Sequence, residues 1–148
     1  MTQKEVQYSI EQFRQGLQRL EEAVEAARDG DLLKRDGTIQ RFEFTFELMW
    51  KLLGRILDHL GRSAGSSPRE VLKNAFREQF FLDEKAYLDM LDDRNLTSHV
   101  YHVYKEATIE KIYKNIEAHY LKILKELLQT VESRLEELLD QNEQQKLF

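Results

Sequence analysis

Phe42-Glu43-Phe44-Thr45-Phe46-Glu47-Leu48-Met49-Trp50-Lys51-Leu52-Leu53 decides the fold. Phe42, Phe46, Met49 and Leu53 recur at steps of four and three, and Ile56 and Leu60 continue them. That spacing is one stripe of an α-helix. Phe44, Leu48, Trp50, Leu52 and Leu57 add apolar surface outside the stripe. Such a helix touches neighbours on more than one side, so it is expected at the centre of a helical assembly or at a subunit interface. Its start is expected between Asp31 and Thr38, and Gly61 is a natural C-terminal cap.

Outward from this centre, the pattern stays helical. Val6, Ile10, Phe13, Leu17, Leu20, Val24 and Ala27 form an earlier stripe that Arg28-Asp29-Gly30 closes. Gly16 inside it marks a close approach of another backbone. Downstream, Ser67-Pro68-Arg69-Glu70 reads as a helix start, with a capping serine, proline at the first position and glutamate completing a capping box. The short helix it opens carries Val71, Leu72, Ala75 and Phe76 and is expected to end near Phe80-Phe81. Asp83 can cap a fourth helix containing Tyr87, Leu88, Leu91 and Leu96.

A polar link from His99 to Glu106 then leads to a last helix, expected from Ala107 to Asp140. Its apolar positions are Ile109, Ile112, Ile116, Tyr120, Ile123, Leu127, Val131, Leu135 and Leu138. At 1.5 Å per residue it is about 50 Å long, so its end is expected to reach beyond the bundle onto another subunit. Residues 141–148 lack the periodicity and are expected to fray. Short connections make sequential helices antiparallel. The expected fold is all-α: an up-and-down bundle of four long helices plus one short helix, in a single domain over residues 1–140.

Composition bounds the function. Of 148 residues, 33% are charged and 41% hydrophobic, and one proline with six glycines leaves too few turns for an all-β fold. The absence of cysteine removes disulfides, thiolate metal sites and a cysteine nucleophile. No apolar run approaches the roughly 20 residues that span a bilayer. Met1-Thr2-Gln3-Lys4-Glu5 is charged and lacks the apolar core of a signal peptide. The absence of cysteine fits the cytosol, and a cytoplasmic protein is expected. A net charge of -5 disfavours a broad basic surface for nucleic acid. It leaves room for one arginine acting locally on a phosphate, and it suits a basic partner.

Chemistry concentrates in Arg94-Asn95-Leu96-Thr97-Ser98-His99-Val100-Tyr101. Arginine can neutralise a phosphate, and histidine can exchange a proton near neutral pH. On a regular helix Arg94 and His99 lie about 140° apart, whereas Asn95 and His99 share a face. A joint Arg94–His99 site therefore needs a helix end between them or two copies of the chain. A histidine at a helix C-terminus also has its protonated form stabilised by the backbone dipoles. The plainer alternative is capping chemistry, with Arg94 paired to Asp89, Asp92 or Asp93. Glu43, Glu47, Lys51 and Arg55, four apart, read as a solvated stripe with Glu-to-Lys pairs. The alternative is a groove wall near the His99 loop, where Glu47, Lys51, Arg94 and His99 bind substrate and Lys51 meets a phosphate. His59, His102 and His119 show no metal-ligand spacing, so neither metal nor cofactor is expected.

Three stretches carry a resemblance: Arg41 to Lys51, Ser67 to Lys73, and Asp89 to His99. Together, over roughly Phe13 to Leu128, they resemble the nucleotidyltransferase substrate-binding protein family. That family belongs to the HEPN superfamily of small helical bundles and is similar to HepT, the toxin-like member of two-gene toxin–antitoxin pairs. The resemblance implies a homodimer whose sites meet near the dimer axis. It also implies a partner, a separate minimal nucleotidyltransferase that carries the catalytic carboxylates. The HEPN ribonuclease motif places Arg94, Asn95 and His99 as catalytic residues of a metal-independent endoribonuclease. There, the 2′-hydroxyl attacks the adjacent phosphate, histidine handles the proton and arginine stabilises the charge. Tyr101 matches a tyrosine that the partner can adenylylate, which would bring negative charge and bulk beside Arg94.

Three expectations follow. The chain is a binding subunit for a small nucleotidyltransferase, supplying substrate-binding or target surface for RNA or a nucleotide. Alternatively it is a ribonuclease that this partner neutralises. The third is a plain helical dimerisation module.

Overall fold

The computed structural model describes residues 2–100 and 105–146, with side chains at 2–97 and 105–137. Helix α1 (Gln3–Ala26) opens on a reciprocal capping box. Thr2 Oγ1 accepts from Glu5 N–H at 3.2 Å, and Glu5 Oε2 accepts from Thr2 N–H at 3.0 Å. A 3₁₀ turn (Ala27–Asp29) ends at Gly30, whose φ of 83° lies in the left-handed region that glycine tolerates. Asp31 caps α2 (Leu32–His59) by accepting from Lys34 N–H at 3.0 Å, and Gly61 follows the helix at φ 73°.

The short α3 (Pro68–Arg77) starts with proline in its first turn and with Ser67 accepting from Glu70 N–H. The expected capping box is only half formed, because the Glu70 carboxylate accepts from Ser66 N–H, one residue before the cap. Asp83 caps α4 (Glu84–Val100) through Ala86 N–H at 3.0 Å. The final rod is α5 (Glu106–Asn115), a π-helical turn (Ile116–Tyr120) and α6 (Leu121–Lys146) in unbroken succession. It runs past Asp140, where the periodicity alone would stop it.

Cross-helix contacts fix the directions. Ser9 meets Arg55, Gly16 meets Thr45 and Arg19 meets Arg41, so α1 and α2 are antiparallel. Arg14 with Glu132 and Glu21 with Lys125 set α6 antiparallel to α1. Asp93 with Asn115 and Tyr87 with Ile123 set α4 antiparallel to the last rod. The result is the expected all-α, up-and-down bundle, with α3 as its short member and no strand among the described residues.

The core is one continuous cluster. Phe13, Phe42, Phe46, Met49, Leu52, Leu53, Leu72, Phe80, Met90 and Ile112 are fully or almost fully buried. Each buried phenylalanine contributes about 1.5–3 kcal/mol of transfer free energy. Phe42 stacks on Tyr120 at 5.6 Å, joining the centre of α2 to the π turn.

Some apolar residues depart from expectation. Leu96 is 45% exposed, not core, and α4 buries Met90 and Thr97 instead. Phe44 is 58% exposed. In the last rod Leu124 is buried and Ile123 is only half-buried.

Candidate functional site

The site begins with two antiparallel helices at one level. Glu47 projects from α2 and Arg94 from α4, and Arg94 Nη2 donates to Glu47 Oε2 at 2.7 Å. The same oxygen accepts from Trp50 Nε1 at 3.0 Å, one turn along α2. Lys51 Nζ lies 3.5 Å from Glu47 Oε1, the Glu-to-Lys pair expected from the four-residue spacing. The Arg94 guanidinium rests 5.8 Å above the buried Phe46 ring, which suits the weakly hydrated face of that cation. Arg94 Nη1 donates to Asn95 Oδ1 at 3.3 Å, and Asn95 is exposed.

The expected pairing of Arg94 with its acidic neighbours is therefore corrected. Asp89 pairs with Lys85 at 2.6 Å and Asp92 with Arg69 at 3.1 Å. Asp93 Oδ2 accepts from Asn115 Nδ2 at 3.0 Å and from the Tyr120 hydroxyl. The three carboxylates point along other faces of α4, while Arg94 faces α2. Burial and the bond to Asp93 together push the Tyr120 phenol well above its usual range. These aspartates, with Asp83, line a groove of about 560 Å3 opposite Lys111 and His119. Its acidic wall is a different face of α4 from the one that carries Arg94.

The structure thus unites four sequence-derived candidates: Glu47, Lys51, Arg94 and Asn95. The side chain of His99 and the whole of Tyr101 lie outside the described residues. The α4 backbone is helical through Val100, so it does not end between positions 94 and 99. Those positions are about 140° apart around its axis. Arg55, the last member of the charged stripe, turns to α1 and donates to Ser9 Oγ at 2.6 Å. Glu43 keeps one carboxylate oxygen buried without a hydrogen-bond partner. Trp50 escaped the sequence reading as a site residue because its apolar body explained it. Its position three residues after Glu47 was the available signal. Among the described residues no three His, Asp or Glu side chains gather where they could hold a metal ion. No described helix is long and apolar enough to cross a membrane.

The family described as nucleotidyltransferase substrate binding protein like matches residues 8–133. The chain belongs to that family. The matched span takes in α1 from Tyr8 onward, α2 to α5, the π turn and the paired Glu47 and Arg94. The chain is also similar to a protein of known crystal structure from Thermus thermophilus. Identity is 32% and the TM-score 0.67, covering 83% of this chain and 98% of that one. No curated protein matches the chain.

Proposed function

We propose that this chain is the helical subunit that pairs with a separate minimal nucleotidyltransferase and supplies substrate-binding or target surface, as in a toxin–antitoxin-like pair. The observation that carries this reading is the family match across residues 8–133, nearly the whole bundle. It is supported by a solvent-reaching cluster of Arg94, Lys51 and Asn95, whose cations suit a phosphoryl group. The test is co-expression with a small nucleotidyltransferase encoded beside this gene, followed by affinity capture and size-exclusion chromatography. A stable complex at micromolar concentration is expected. Separate elution of the two folded proteins would reject the pairing.

One contact favours a second reading, a metal-independent ribonuclease using Arg94, Asn95 and His99. The Asn95 amide oxygen holds the Arg94 guanidinium, so the two polar groups act as a unit at the surface. Because α4 stays helical past position 99, the reading requires a homodimer in which Arg94 of one copy faces His99 of the other. In that site Tyr101 is the residue for adenylylation by the partner. RNA cleavage by the purified protein should fall about 10²-fold or more in His99→Ala. Equal cleavage by both proteins would reject this reading and leave the pairing intact.

A further inference from the structure

The carboxylate of Glu47 is held by three donors of the kind that also bind a phosphoryl group. A guanidinium (Arg94), an indole N–H (Trp50) and an ammonium (Lys51) converge on its two oxygens, at 2.7, 3.0 and 3.5 Å. A phosphate monoester uses the same donors, with one more oxygen and up to twice the charge. The side chains of Arg94, Glu47 and Lys51 are 28%, 31% and 49% exposed. Exchange at this point therefore needs no opening of the core. Glu47 lies on the surface of α2, and its flexible side chain can turn to water once its contacts are replaced.

We propose that Glu47 is an internal competitor that closes a phosphate-monoester site formed by Arg94 and Lys51. The anion binds as the carboxylate leaves. This rests on reading Arg94 as a phosphoryl-binding residue and is independent of which partner subunit the chain takes. Partly exposed ion pairs contribute about 0.2–1 kcal/mol, so a dianion contacting two cations can displace the carboxylate. Glu47 is thus a positioning residue. It holds the guanidinium against α2 and the Phe46 ring, ready to be handed to the incoming oxygens.

The chain contains a single tryptophan, Trp50, and it donates to the contested oxygen, so its emission reports the exchange. The full-length protein and its Glu47→Gln, Glu47→Asp, Arg94→Ala and Lys51→Met variants are titrated with inorganic phosphate and with adenosine 5′-monophosphate. Ionic strength is held constant, and binding is followed by Trp50 fluorescence and calorimetry. Helical circular dichroism sets the folded fraction of each. Glu47→Gln is expected to bind both probes roughly three- to tenfold more tightly than wild type. Glu47→Asp, with its carboxylate drawn back from Arg94, gives a smaller gain in the same direction and serves if the glutamine variant fails to fold. Lys51→Met weakens binding, and Arg94→Ala abolishes it. Equal or weaker binding by both Glu47 variants, or unchanged binding by Arg94→Ala, overturns the proposal. A nucleotidyltransferase complex that forms equally well with wild type and Glu47→Gln keeps the pairing reading separate from this result.

Discussion

Gly16 lacks a side chain because α2 occupies the space. A Cβ there would stand 3.0 Å from Leu48 Cδ1 and 3.4 Å from Thr45 Oγ1, and Thr45 already donates to the Gly16 carbonyl at 3.1 Å. Alanine is expected to be tolerated, since the tip of Leu48 can shift and helix propensity improves by about 1 kcal/mol. Gly16→Leu should destabilise the fold by about 1–3 kcal/mol through overpacking, measured by urea unfolding. The glycine's role was legible in the sequence, since an isolated glycine in an apolar stripe signals close approach. Arg35 was not legible. It is only 3% exposed, and it pairs with Asp36, Glu106 and Glu110, with Glu106 71 positions away. Nothing local announces such a partner. Arg35→Ala should cost about 2–3 kcal/mol, below the usual range for a broken buried pair because its carboxylates are half-exposed and recover water. Arg35→Lys should recover only part of that loss, because a point charge cannot span three carboxylates. Thermal unfolding of the two variants checks both expectations.

At the scale of the element, starts were more legible than ends. Asp31, Ser67 and Asp83 cap as their residue types imply. Ser67→Ala should lower stability by about 1 kcal/mol, seen as a reduced urea midpoint at unchanged slope. The sequence predicts that α4 ends before His99, but the stretch from Leu96 to Val100 contains neither glycine nor proline. With no breaker, the helix simply continues to Val100. The π turn left a trace that is clear in retrospect. Ile112, Ile116, Tyr120 and Leu124 are successive four-residue steps, all buried. Three such steps drift about 40° each on an ordinary α-helix. The wider turn at Ile116–Tyr120 absorbs that drift, and the buried position becomes Leu124 where even α-helical spacing favoured Ile123. The pairing of Glu47 with Arg94 was beyond the sequence for a different reason. Each had a plausible partner nearby, and only the antiparallel register of α2 and α4 chooses between them.

For the whole molecule, two phenols fasten the last rod to α4, and a third braces the rod across the start of its π turn. Tyr87 hydrogen-bonds toward Ile123 O and stacks on Phe81 at 3.7 Å, Tyr113 donates to Glu117, and Tyr120 donates to Asp93. Burial, aided by nearby carboxylates, pushes all three above the ordinary value of 10, Tyr113 to about 12. The fold therefore favours the protonated phenol. That stability is complete below pH 10 and is lost as pH rises through the raised values. Unfolding free energy should decline progressively above pH 10, with tyrosinate absorbance of these three residues appearing late and together with loss of helix. In Tyr120→Phe the alkaline decline should be shallower, at the expense of the hydrogen bond to Asp93 at neutral pH. Adjacent residues in α4 also answer to opposite neighbours: Asp93 is anchored to the last rod, Arg94 to α2. Losing one anchor leaves the other fastened. A guest that draws Arg94 away from Glu47 would find the helix still moored by Asp93, so the guanidinium can change hands without the bundle changing shape.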